Sequence, residues 1–102
     1  MIIMTAGLRP AEGKNSELEK ALRSLIPGTS GEPGVLEYRL FKSLDGSGYW
    51  FLERFASREA LDEHMAKPYV KEVFDRFAEL LAGDPEVRFH EFLDGFAREC
   101  EF

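Results

Sequence analysis

The stretch VLEYRLFKSLDGSGYWFLERF, residues 35–55, decides the fold. Val35 to Ser43 reads as a strand, with Leu36, Tyr38 and Leu40 on one face and Val35, Glu37, Arg39 and Phe41 on the other. Asp45-Gly46 is a tight-turn signal, because both residue types tolerate positive φ. Tyr49 to Phe55 is the next strand, with Tyr49, Phe51, Glu53 and Phe55 on one face and Trp50, Leu52, Arg54 and Ala56 on the other. Two strands joined by such a turn make an antiparallel hairpin.

Upstream, Ile2 to Leu8 is apolar and partly β-branched and predicts a first strand, closed by Arg9-Pro10. Ser16 and Glu19 stand at capping-box spacing, and Leu18, Ala21, Leu22, Leu25 and Ile26 make an amphipathic stripe that Pro27-Gly28 is expected to stop. Gly28, Gly31 and Gly34 then read as turn glycines; they follow a helix and precede a strand, the reverse of a phosphate cradle. Downstream of the hairpin, Ser57 is a candidate N-cap for a helix through Ala66, which Pro68 breaks. A second piece from about Tyr69 carries Val70, Val73, Phe74, Phe77 and Leu81 on one stripe and ends at Gly83. Val87 to Leu93 predicts the last strand, and Phe96 and Phe102 suggest a docked tail over Asp94 to Phe102.

The order β-α-β-β-α-β is that of an α+β, ferredoxin-like domain, an antiparallel four-stranded sheet with helices on one face. A monomer with water on the open face should alternate apolar-in with polar-out. Here the second, third and fourth strands carry large apolar residues on both faces. Burying each is worth roughly 1.5–3 kcal/mol, so leaving four or five in water would forfeit an amount comparable to a domain's whole stability, ~5–15 kcal/mol. A second copy, packed sheet to sheet into a dimeric α+β barrel, is the economical cover, and space beside such an interface would be an apolar pocket.

The 102 residues suit a single domain over 1–102, and 44% hydrophobic with 31% charged is an ordinary globular balance. A formal net charge of −6 argues against nucleic acid as a partner. The lone Cys100 excludes an internal disulfide and a cysteine-based zinc site. No stretch approaches the ~18 apolar residues of a membrane span, and the start carries no basic leader, so a cytoplasmic protein without membrane contact is expected. Aromatics reach 13%, nine of them Phe, high for so small a chain.

Two residues are candidates for chemistry. His64 shares a helix face with Ala60, Leu61 and Met65 and is expected to point at the sheet, either as a buried histidine holding a partner or as a proton acceptor for a phenol or enol. Glu53 lies between Phe51 and Phe55 and needs a partner, for which Arg39 and His64 are candidates, or else its pKa rises. Tyr38, Trp50, Phe51, Tyr69 and Phe74 are candidate contacts for an aromatic ligand. His90 is expected at a sheet edge or interface. No metal-ligand spacing, Walker sequence, dinucleotide fingerprint or Ser-His-Asp pattern is present, so no metal and no cofactor is expected.

The runs Glu32-Pro33-Gly34-Val35-Leu36-Glu37-Tyr38, Glu53-Arg54-Phe55, Glu59-Ala60-Leu61 with His64, and Tyr69-Val70-Lys71 resemble, in order and spacing, the antibiotic biosynthesis monooxygenase family. The resemblance runs from the first strand to about Leu93. It implies a dimeric α+β barrel with a pocket between sheet and helices, His64 and Glu53 at the positions of the family's helix-two histidine and strand-three glutamate, and, by analogy with its quinol and anthrone oxygenases, oxygen chemistry without metal or flavin. The haem-degrading branch is a poor match: the first strand has no Asn, the helix-two position is His64, and Phe74 stands ten residues on. The reading that follows is a cofactor-independent monooxygenase of a small quinol or polycyclic phenol. The alternatives are a non-catalytic small-molecule-binding or stress-related dimer and an isomerase of a small oxo acid.

Overall fold

The computed structural model describes residues 1–98. The chain runs β1 (Ile2–Leu8), α1 (Asn15–Arg23), α2 (Leu25–Ser30), β2 (Val35–Lys42), β3 (Tyr49–Phe55), α3 (Arg58–Met65), α4 (Pro68–Asp75), α5 (Phe77–Leu80) and β4 (Glu86–His90). The strands form one antiparallel sheet in the order β2-β3-β1-β4, the ferredoxin-like arrangement with both helical crossovers broken into pieces.

Strand alternation settles which face meets the helices. Met4, Ala6 and Leu8 of β1 and Tyr49, Phe51, Glu53 and Phe55 of β3 are buried beneath them, with Met4 opposite Glu53 and Ala6 opposite Phe51. Leu18 and Leu22 of α1, Leu25 of α2, Leu61 of α3, Val70 and Val73 of α4 and Leu80 of α5 close the core from above. Trp50, Leu52 and Arg54 point the other way, as expected, and so do Phe41 and Arg39, their cross-strand neighbours on β2.

The chain departs from the sequence pattern at several places. The first helix starts one residue before Ser16 with Lys14 at its N-cap and no side-chain cap bond. Glu19 instead binds Arg23 at 3.1 Å, Lys42 at 3.0 Å and the Tyr49 hydroxyl at 3.1 Å. Pro27-Gly28 does not stop the helix: the chain bends at Ser24, whose hydroxyl donates to the Ala21 carbonyl, and α2 carries Pro27 in its first turn, where no intrahelical N–H bond is lost. The hairpin is wider than a two-residue turn: Gly46 and Gly48 take positive φ, Asp45 does not, and the Asp45 carboxylate accepts from the Ser47 N–H.

A register shift between Val35 and Glu37 turns Leu36 outward, half exposed, while Val35 packs on the core. Ser57 caps α3 through the Ala60 N–H at 3.1 Å, and Pro68 opens α4 rather than merely ending α3. β4 stops at His90, so Glu91, Phe92 and Leu93 lie beyond it. Phe96 is exposed rather than docked, and Phe102 lies outside the described residues.

Candidate functional site

Between the sheet and the helices lies a cavity of about 410 Å³. Its floor is Met4, Ala6, Leu8, Phe51 and Glu53, and its roof includes Leu22 of α1, Leu61, His64 and Met65 of α3 and Val70 and Phe74 of α4. The short side chain of Ala6, between Met4 and Leu8 on the central strand, helps to leave this space open. Phe74, Val87 and Phe89 also line it, and all three are partly in water. The mouth therefore opens between α4 and the edge strand β4, where its lip is apolar, and the exposed Arg58 and Asp62 of α3 also line the cavity.

Glu53 and His64 meet at the inner wall. Both side chains are almost wholly buried, and His64 Nε2 stands 3.8 Å from Glu53 Oε1, beyond hydrogen-bond distance. Glu53 Oε1 has no hydrogen-bond partner among the described residues. Burial without a charged partner pushes the Glu53 carboxyl up to about 8, so it holds its proton at neutral pH. The expected partner Arg39 is on the opposite face of the sheet, bound to Glu37 at 2.5 Å, and cannot reach.

Behind His64 stands a residue that the sequence reading did not single out. Glu32, in the turn between α2 and β2, has its Oε2 3.0 Å from His64 Nδ1 and accepts the hydroxyl of Tyr69. Its side chain is 9% exposed. Burial, reinforced by the bond to Glu32, holds the Tyr69 phenol near 12. Tyr38 closes the wall from β2, its ring 5.3 Å from the His64 ring and 4.9 Å from Phe51. Burial, with the nearby Glu53, raises the Tyr38 phenol well above its ordinary range. The only signal for Glu32 in the sequence was its place in the Glu-x-Gly motif, which says nothing of a contact with a helix thirty-two residues on.

Of the candidate ligand contacts, Tyr38, Phe51 and Phe74 line the cavity. Trp50 and Tyr69 do not. Trp50 is on the helix-free face, its indole lying over Gly7, where a Cβ would come within 2.8 Å of the ring. Tyr69 points away from the cavity toward Glu32, its ring against Gly28. His90 is also on the helix-free face, with Nε2 2.8 Å from the Thr5 hydroxyl. Among the described residues no three His, Cys, Asp or Glu side chains converge to hold a metal ion, and no helix is long and apolar enough to cross a membrane.

Comparison with known proteins places the fold and the family. The family model described as antibiotic biosynthesis monooxygenase matches residues 1–76. A Mycobacterium tuberculosis protein named "Putative monooxygenase Rv0793" is 34% identical over 80 residues, 78% of this chain and 79% of that protein. The solved structure of Rv0793 superposes with a TM-score of 0.89 at 31% identity, covering 94% of this chain and 98% of that one. Protein SO0527 from Shewanella oneidensis superposes with a TM-score of 0.82 at 35% identity over 87% of each chain.

Proposed function

The chain belongs to the antibiotic biosynthesis monooxygenase family, and from that premise we propose that it oxidises a small quinol or polycyclic phenol with molecular oxygen and no added cofactor. The observation that carries this reading is the unpartnered Glu53 Oε1 beside His64 Nε2 at the inner wall of a mostly apolar cavity. Two polar atoms 3.8 Å apart are close enough to share one ligand oxygen once a small side-chain shift opens the buried Glu53 Oε1 to the cavity. A phenolic hydroxyl donates to the imidazole nitrogen and accepts from the protonated Glu53 carboxyl. As the phenol loses its proton to His64, the phenolate oxygen faces two donors, the imidazolium and the carboxyl, in a site shielded from water. His64 is then the proton acceptor, and Glu53 is a hydrogen-bond donor.

The substrate supplies the electrons. A ring C–H conjugated with the phenolate becomes C=O; one atom of dioxygen enters the ring, the other leaves as water, and the four electrons that reduce dioxygen come from the ring. Tyr38, Phe51 and Phe74 supply flat apolar contact for the ring. An anionic oxo acid fits less well, because Arg58, the one cationic side chain among the cavity-lining residues, is ion-paired to Asp62 at 3.2 Å and largely exposed. The test is oxygen uptake by purified protein with a panel of reduced quinones and polycyclic phenols, without added metal or flavin. Uptake dependent on one substrate class and on His64 supports the reading; tight binding of the same compounds with no uptake would establish the binding-protein alternative instead.

We propose also that a second copy covers the helix-free sheet face. Phe41 and Trp50 are direct cross-strand neighbours there, each nearly 40% exposed, with Leu52 beside them. Charged pairs flank this apolar centre: Glu37 with Arg39 and Arg54 on one side, Glu86 with Arg88 on the other. An apolar middle with a charged rim is the pattern of a protein interface.

A further inference from the structure

We infer that Glu32, held in place by Tyr69, is a positioning residue that fixes His64 in the tautomer with its proton on Nδ1, leaving Nε2 as the acceptor that faces the cavity. The inference rests on the reading of His64 as the proton acceptor, and it adds the group that makes the imidazole one.

The hydrogen-bond bookkeeping is local. The Tyr69 hydroxyl donates to Glu32 Oε2, so that oxygen is an acceptor. His64 Nδ1 lies 3.0 Å from the same oxygen, and two acceptors at that distance would repel. Nδ1 must therefore carry hydrogen. In the neutral ring this leaves Nε2 bare. Nε2 is the nitrogen that faces Glu53, which lines the cavity, whereas Nδ1 faces Glu32, which is not among the lining residues. Without Glu32, nothing else among the described contacts of Nδ1 would select this tautomer.

The main chain holds Glu32 in place from both sides. Its N–H donates to the Thr29 carbonyl at 3.0 Å, and its own carbonyl accepts from the Val35 N–H at 3.0 Å. The helix and strand that flank it thus aim the carboxyl at α3. Tyr69 reaches it because Gly28 has no side chain: a Cβ there would stand 2.8 Å from the tyrosine ring. The titratable groups facing His64 are Glu32 from the α2–β2 turn, Glu53 from β3 and Tyr38 from β2, with Tyr69 of α4 acting through Glu32.

The experiment is nitrogen-15 NMR of the histidine rings in ¹⁵N-labelled protein between pH 6 and pH 9, with His90→Gln used to assign the two rings. The expected wild-type spectrum has His64 Nδ1 protonated and Nε2 bare once the ring is neutral. Glu32→Gln should keep that tautomer, because its amide oxygen still accepts from Nδ1. Glu32→Leu should shift the ring several-fold toward the Nε2–H form, and Tyr69→Phe partway. A wild-type ring protonated on Nε2, a ring that stays doubly protonated to pH 9, or a Glu32→Leu ring unchanged in tautomer would each overturn the inference. If Glu32→Leu does not fold, the wild-type and Glu32→Gln spectra decide it: both must show the Nδ1–H form. The readout involves no turnover, so protein with the expected tautomer and no oxygenase activity would refute the proposed reaction and leave the role of Glu32 standing.

Discussion

At the scale of single residues, burial decides what Glu53 and His64 can do. With the proton transfer limiting turnover, replacing His64 with Ala should lower turnover of a confirmed substrate by roughly 10²–10⁴-fold. Affinity for the same ring should fall far less, since apolar contact area holds it; single-turnover kinetics beside equilibrium titration separates the two. Glu53 has its own signature in stability. Its pKa rises from about 4.5 in the unfolded chain to about 8 when folded, so between those values the native state binds more protons than the unfolded one. Stability conferred by the protonated carboxyl is therefore lost as pH rises through that window. Glu53→Gln should remove this slope, so that the variant gains on the wild type from pH 5 to pH 9 in denaturant titrations; equal slopes would mean that Glu53 is ionised inside the fold.

Residue scale is also where the sequence was least legible. The alternation of β3 placed Glu53 among aromatics and the helical period placed His64 toward the sheet, because both follow from the repeat of one element. The Glu32–His64 contact joins a turn to a helix thirty-two residues away, and no periodicity encodes it. Residue type alone makes Trp50 and Tyr69 candidate ligand contacts. Strand alternation had already put Trp50 opposite Glu53, and a tyrosine can serve a buried carboxylate as readily as a ligand.

At the scale of elements, strong alternation and apolar stripes gave strand and helix identities, while breakers misled. Proline stops a helix only where an intrahelical N–H bond is lost, and Pro27 sits in a first turn where none is. The glycines after it read as turn residues, yet Gly28 is helical and is small for the sake of the Tyr69 ring. That claim has a measurable sign. Helix propensity alone would favour Gly28→Ala by about 1 kcal/mol, whereas a Cβ 2.8 Å from the Tyr69 ring would crowd a side chain that is tied to Glu32, and overpacking of that kind costs typically ~1–3 kcal/mol. The variant should be destabilised on balance, by up to about 2 kcal/mol in chemical unfolding. A Gly28→Ala protein more stable than the wild type would show that the ring has room to move.

At the scale of the whole molecule, the topology followed from the order of elements, and the cavity follows from the topology: helices on one face of a sheet whose central strand carries Ala6 beneath them. The helix-free face is less apolar than the strand sequences imply: its apolar part centres on Phe41, Trp50 and Leu52 within a rim of ion pairs. Sedimentation at micromolar concentration should show a dimer burying well over ~1,000 Å² in total, and Trp50→Glu should convert it to monomer; a wild-type monomer would remove the second copy from the account.

The central claim, oxygenation driven by the substrate's own electrons, is tested most directly by turnover under ¹⁸O₂ with protein freed of metal and flavin. The prediction is one dioxygen consumed per quinone formed, with a single labelled oxygen in the new carbonyl and the other in water. No oxygen consumption across the quinol and phenol panel, or turnover that returns only when a metal or flavin is restored, would contradict it.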